Sequence, residues 1–110
     1  MSVHYFVDGR KREPVRLYID ALAAAGERST VATFDRLLDL IESEGAPLGM
    51  PHDRIINRRE RLWELRFGDH RCAYAEVDGV VVLLHAWRKR TRKLDTKEEA
   101  TAIRRLRSLR

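Results

Sequence analysis

The chain has 110 residues, of which 44% are hydrophobic and 35% charged, a balance that builds one hydrophobic core and is too apolar for a disordered segment. No apolar run approaches the ~20 residues of a membrane span, and the single cysteine, Cys72, excludes an internal disulfide or a cysteine-rich zinc site. The first ten residues carry charge without an apolar signal core, so the expectation is one domain over residues 1–110, cytoplasmic, with no membrane partner.

The formal net charge is +5 and the isoelectric point about 9.9. Eighteen of the 22 basic residues are arginine, a skew that GC-rich coding also produces, so distribution is the better evidence. Residues 1–53 are net −3, 54–71 net +3, 72–84 net −2 and 85–110 net +7. An acidic first half and a basic second half are expected when one face meets a polyanion. A solvated basic C-terminal helix is the plainer alternative.

Val3 to Val7 is a β-rich run stopped by Asp8-Gly9, a first strand. From Glu13 the period changes: Val15, Tyr18, Ile19 and Leu22 recur at helical spacing behind Pro14, with Gly26 as a stop. A second helix, capped by Ser29 or Thr30, places Phe34, Leu37, Leu38 and Ile41 on one face and ends at Gly45 and Pro47. Gly45 to Glu60 shows no period and reads as a loop.

Residues 61–87 read as a three-stranded meander, with Gly68-Asp69 and Asp78-Gly79 as two-residue turns. Thr96 and Glu99 form a capping-box pattern ahead of a terminal helix with Ala100, Ile103, Leu106 and Leu109 on its apolar face. The element order is β-α-α-β-β-β-α, an α+β fold.

Counting outward from the turns fixes a register. Phe67 pairs with His70, Arg66 with Arg71, Leu65 with Cys72 and Trp63 with Tyr74. On the other side Val77 pairs with Val80, Ala75 with Val82, Ala73 with Leu84 and Arg71 with Ala86. One face then carries Trp63, Tyr74, Leu83, Leu65, Cys72, His85, Phe67, His70 and Trp87, and helices must cover it. The opposite face ends at Arg66, Arg71 and Ala86, with Arg88 just beyond.

Two arginines opposed across a strand pair repel. Either an anion sits between them in a shallow cationic cleft, or Glu64, next along the same face, completes an ion-pair ladder. Arg88-Lys89-Arg90-Thr91-Arg92-Lys93 leaves the last strand beside them, and Arg88, Lys89, Arg92 and Lys93 suit a phosphate backbone. His85 reads as a core histidine, Cys72 as inert packing, His70 as partly exposed near its turn, and Trp63 and Trp87 as core. No paired carboxylates, phosphate-cradling glycine loop or metal-ligand spacing stands out, so no cofactor and no metal are expected.

The runs Leu62-Trp63-Glu64-Leu65-Arg66-Phe67, Arg71-Cys72-Ala73-Tyr74, Leu83 to Thr91 and Lys97-Glu98-Glu99-Ala100 resemble the phage-derived Gp49-like and HigB-like branch of the RelE/ParE toxin superfamily. The resemblance implies a RelE-like fold and a toxin of a type II toxin–antitoxin system. It implies a metal-independent endoribonuclease that cuts mRNA on the ribosome and blocks translation, held inactive by a cognate antitoxin, often a helix-turn-helix protein. Arg66, Arg71 and Arg90 match the superfamily's cleft arginines. Glu64 stands where a second basic residue is usual, and a C-terminal tyrosine gives way to Lys93-Leu94-Asp95-Thr96. The proton-transfer group is therefore open between Glu64, His85 if the register differs, and a ribosomal group. A ParE-like toxin acting on a topoisomerase and a non-catalytic basic nucleic-acid-binding module remain the alternatives.

Overall fold

A computed structural model describes residues 1–110. The chain runs β1 (Val3–Tyr5), α1 (Pro14–Ala24), α2 (Arg28–Glu44), β2 (Asp53–Asn57), β3 (Leu62–Phe67), β4 (His70–Val77), β5 (Val80–Arg88) and α3 (Thr96–Arg107). The strands form one sheet in the order β1-β5-β4-β3-β2, with β1 parallel to β5 and the remaining pairs antiparallel. The predicted α+β class and element order hold, with one strand added.

That strand is β2, inside the segment read as a loop. Its apolar signal is only Ile55-Ile56, and a register shift between Ile55 and Asn57 breaks the alternation a sequence reading needs. It is held by position: Asp53 is buried and accepts from the Tyr74 hydroxyl (2.5 Å) and from the backbone N–H groups of Leu48 (3.0 Å) and Gly49 (2.7 Å).

Both meander turns form as read. Asp78 and Gly79 both adopt positive φ (51° and 82°), as a type I′ turn requires, and Gly68 (φ 63°) opens the other. The β3–β4 register matches the prediction at every pair, Arg66 opposite Arg71 included. The β4–β5 register holds from Val77/Val80 to Tyr74/Leu83 and then slips by one residue: Ala73 faces His85, Cys72 faces Ala86, Arg71 faces Trp87 and His70 faces Arg88. The cause is a β-bulge at Leu84, which gives β5 one residue more than β4. The predicted pairs Ala73/Leu84 and Arg71/Ala86 are thereby corrected, because one extra residue turns every later side chain to the other face.

Two cores result. Val15, Ile19, Phe34, Leu37 and Ile41 of α1 and α2 pack on Leu65, Phe67, Cys72, Tyr74, Leu83 and Ala86. Ala102 and Leu106 of α3 pack on Leu62, Ala75, Val82, Leu84 and Trp87. Neither predicted side-chain cap forms: α2 begins behind Glu27 and α3 behind Asp95, with no capping hydrogen bond at either. The Glu99 carboxylate accepts instead from Asn57 Nδ2 (3.1 Å), and Arg107 and Arg110 both pair with buried Glu60, fastening the C-terminal end of α3 to the β2–β3 turn.

Candidate nucleic-acid interface

The bulge decides which side chains share the α3 side of the sheet. Leu84 and His85 both point there, Leu84 into the α3 core and His85 onto the helix, where its Nε2 donates to Glu98 (2.7 Å) and its Nδ1 accepts from Arg105 (3.1 Å). Trp87 follows to the same side and stacks on His85 with ring centroids 5.5 Å apart. His85 is thus not part of the core under α1 and α2. It sits at the edge of the open face with both ring nitrogens engaged, and burial holds its pKa below the ordinary histidine value against the pull of Glu98.

Arg88 moves the other way. It lies opposite His70, on the α1 side, 3.9 Å from the Asp69 carboxylate, and not on the cationic face where the even register put it. His70 itself is buried, correcting its reading as partly exposed: it stacks on Phe67, and its Nδ1 accepts from the Tyr18 hydroxyl (2.5 Å). Cys72 is fully buried, and burial pushes its thiol far up, as expected of inert packing. Trp87 is core as read, whereas Trp63 is only half-buried beside an open pocket with Arg61 and Glu76.

Beyond the N-terminus of α3 the sheet is left open, with residues 89–95 on one side and β2 on the other. On this floor lie Arg54, Glu64, Arg66 and Arg71. Glu64 is 3% exposed; its Oε2 accepts from Arg54 Nε (2.7 Å) and lies 4.0 Å from Arg71 Nε. Its other oxygen has no partner within the protein and is not fully buried, and Glu64 lines a cavity of about 140 Å³ with Arg54, Trp87, Lys89 and Asp95. Arg71 is 11% exposed, and its Nη1 donates to the carbonyls of Gly68 (2.9 Å) and His70 (2.8 Å), which fixes the guanidinium. Burial and then the neighbouring Arg66 charge lower its pKa, with Glu64 opposing.

The ion-pair ladder and the anion cleft each account for part of this geometry. Glu64 is engaged by Arg54 and Arg71. Arg66 has no carboxylate within 4.0 Å, and its Nη1 lies 4.0 Å from the Met50 sulfur. A cation facing a fixed cation, with no counter-charge of its own, is where an anion gains most.

Lys89 is folded inward. Its ammonium and the Trp87 indole N–H both donate to Asp95 Oδ2 (2.9 Å each), so Lys89 closes one wall of the cleft. Arg90, Arg92 and Lys93 are exposed on the connecting segment with no ion pair to the floor residues. The structure therefore brings together Arg66, Arg71, Glu64 and Lys89, and leaves Arg90, Arg92 and Lys93 on the rim and Arg88 on the far side. Arg54 and Asp95 were missed; Arg54 sits in a segment without period, and Asp95 read only as linker. No three His, Cys, Asp or Glu side chains converge as a metal site would need.

A family model described as "Phage derived protein Gp49-like (DUF891)" matches residues 19–107. No curated protein matches the chain. Among solved structures, a chain of the YoeB-YefM complex from Staphylococcus aureus superposes with a TM-score of 0.56 at 14% identity, over 78% of this chain and 93% of that one. A heterotetrameric YoeB-YefM toxin-antitoxin complex from the same organism gives 0.55 at 14% identity, over 77% and 92%. At that identity the likeness is one of fold, and it is the fold that the sequence resemblance implies. The chain belongs to the phage-derived Gp49-like family.

Proposed function

We propose that this protein is the toxin of a toxin–antitoxin pair and that it cuts mRNA on the ribosome at the open cleft beside α3. The observation that carries the reading is the fixed Arg71 guanidinium with Arg66 beside it, a cation without a carboxylate of its own, next to Glu64, which keeps one carboxylate oxygen without a partner within the protein. A phosphodiester seated over the two arginines is polarised, and negative charge growing on its non-bridging oxygens is stabilised in place, which is electrostatic catalysis of the oxyanion-hole type.

The reaction needs only the substrate's own nucleophile. The ribose 2′-OH attacks the adjacent phosphorus, the bond to the 5′-oxygen breaks, and the products are a 2′,3′-cyclic phosphate and a 5′-OH. The free oxygen of Glu64 is the group in the cleft able to take the 2′-OH proton, and the departing 5′-oxygen takes a proton from the protonated Glu64 or from water to become the 5′-OH. His85 is less suited, since Glu98 and Arg105 occupy both of its ring nitrogens. Lys89, held by Asp95, supplies a further cation for the backbone, and Arg90, Arg92 and Lys93 guide the strand from the rim. The partner that silences such a site is a cognate antitoxin of helix-turn-helix type.

Inducible expression in bacteria, with primer extension on a reporter mRNA and soluble protein as control, tests the reading. Wild type should arrest growth and give codon-phased cuts, and Arg66→Gln, which removes an unpaired charge and only a long contact to the Met50 sulfur, should abolish them at equal protein level. Arrest with uncut mRNA would move the target to another process such as topoisomerase action. Harmless expression would leave a binding module.

A further inference from the structure

The two most exposed large apolar side chains of the molecule are Leu94, 76% exposed, and Met50, 63% exposed. A lone exposed leucine or methionine is ordinary. These two stand at the same cleft. Met50, from the segment leading into β2, has its sulfur 4.0 Å from Arg66. Leu94, from the segment leading into α3, rims a cavity of about 140 Å³ that it shares with Arg54, Glu64, Trp87, Lys89 and Asp95. In the row across the sheet, Arg66, Arg71 and Trp87 are neighbours, so Met50 lies at the Arg66 end and Leu94 at the Trp87 end.

We propose that Met50 and Leu94 grip the nucleobases on either side of the phosphate held over Arg66 and Arg71, which makes the substrate an unpaired RNA strand and these two side chains its base contacts. The inference rests on the reading of the cleft as an RNA site and deepens it. Charge selects a polyanion at the floor, and apolar groups flanking that floor select one with apolar faces to offer. Bases in a duplex are stacked and hide those faces, whereas an unpaired strand presents them. A thioether packs well against a ring because its sulfur is polarisable, and a leucine buries area without demanding a hydrogen bond, so both tolerate several bases while favouring large ones.

The test is equilibrium binding at low salt to three fluorescent probes: a 12-nucleotide single-stranded RNA, the same RNA annealed to its complement, and an abasic strand of equal length. Wild type should bind the single strand tightest. Leu94→Ser and Met50→Ser should each weaken that binding by about fivefold, the loss expected when roughly half of an aliphatic side chain no longer leaves water. Neither should change abasic-strand binding or the salt dependence, since no phosphate contact is removed. Leu94→Met should retain wild-type affinity. Arg66→Gln should weaken binding to all three probes and flatten the salt dependence. Equal affinity of wild type for single strand and abasic strand, or Leu94→Ser and Met50→Ser proteins indistinguishable from wild type on RNA, would overturn the base grip while leaving the cationic floor standing. Failure of wild type to bind any probe, or an Arg66→Gln protein with unchanged salt dependence, would overturn the RNA reading and the grip with it.

Discussion

Asp53 is the buried charge on which the β2 side of the cleft depends, and replacing it gives a quantitative test of the fold. Its two oxygens accept three hydrogen bonds, from Leu48 N, Gly49 N and the Tyr74 hydroxyl. Hydrogen bonds to a charged group each contribute about 1.5–3 kcal/mol net. Asp53→Asn keeps one acceptor oxygen and turns an NH₂ toward donors, so it loses at least one bond and leaves a donor facing a donor. The expected cost is about 2–3 kcal/mol. Tyr74→Phe removes one donor and leaves the carboxylate two, an expected cost of about 1–2 kcal/mol. Because the two residues share a bond, the double variant should fall short of the sum by about 1 kcal/mol. Urea unfolding of the four proteins measures all three quantities, and each kcal/mol should lower the melting temperature by roughly 4–8 °C. The reasoning is refuted if Asp53→Asn lies within about 0.5 kcal/mol of wild type, the range of an ordinary surface change. Since the same carboxylate pins residues 48 and 49 ahead of Met50, a folded Asp53→Asn protein should also bind single-stranded RNA more weakly.

Three further outcomes are expected. Trp87→Ala should cost about 3–5 kcal/mol in urea unfolding, because it empties a buried site against α3; Trp63→Ala, at a half-buried position, should cost clearly less than the core value its sequence pattern suggested. The pKa values of His70 and His85 are both lowered, by burial first of all, so the unfolded chain takes up protons that the folded one refuses. Their contribution to stability is therefore complete above the ordinary histidine value and lost as pH falls through it. The urea midpoint should drop between about pH 7.5 and 5.5, and by less in His85→Gln. At Asp95 burial raises the pKa, but the bonds from Lys89 and Trp87 outweigh it and the net shift is downward. Asp95→Asn should destabilise the protein by about 1 kcal/mol at neutral pH. Wild type and variant should begin to converge as pH falls below about 4, where the unfolded chain's Asp95 takes up its proton before the folded one does. A difference that persists undiminished at pH 3 would contradict the assignment.

Much of this molecule is local and so was legible in its sequence. Asp78-Gly79 and Gly68-Asp69 set their turns by backbone preference alone, and the turns carried the β3–β4 register as far as the Arg66/Arg71 pair. The helical periods of α1 and α2 named the residues that fill the larger core. The motif runs around Leu62–Phe67 and Leu83–Thr91 pointed to the Gp49-like family. What lies beyond local preference was decided by packing. No residue type in Leu83-Leu84-His85 announces a bulge, yet that one extra residue moved His85 and Trp87 to the α3 side and carried Arg88 off the cationic face. Strand β2 has too little apolar pattern to declare itself, and it forms because β3 offers an edge and Tyr74 offers Asp53 a partner 21 residues away in the chain. Arg54 reaches Glu64 only through that strand, and Asp95 reaches Lys89 and Trp87 only because the segment before α3 folds back on itself. The charges of the cleft were thus written in the sequence, but which of them are spent on one another, and which are left for a phosphate, followed from contacts between segments that only the folded chain brings together.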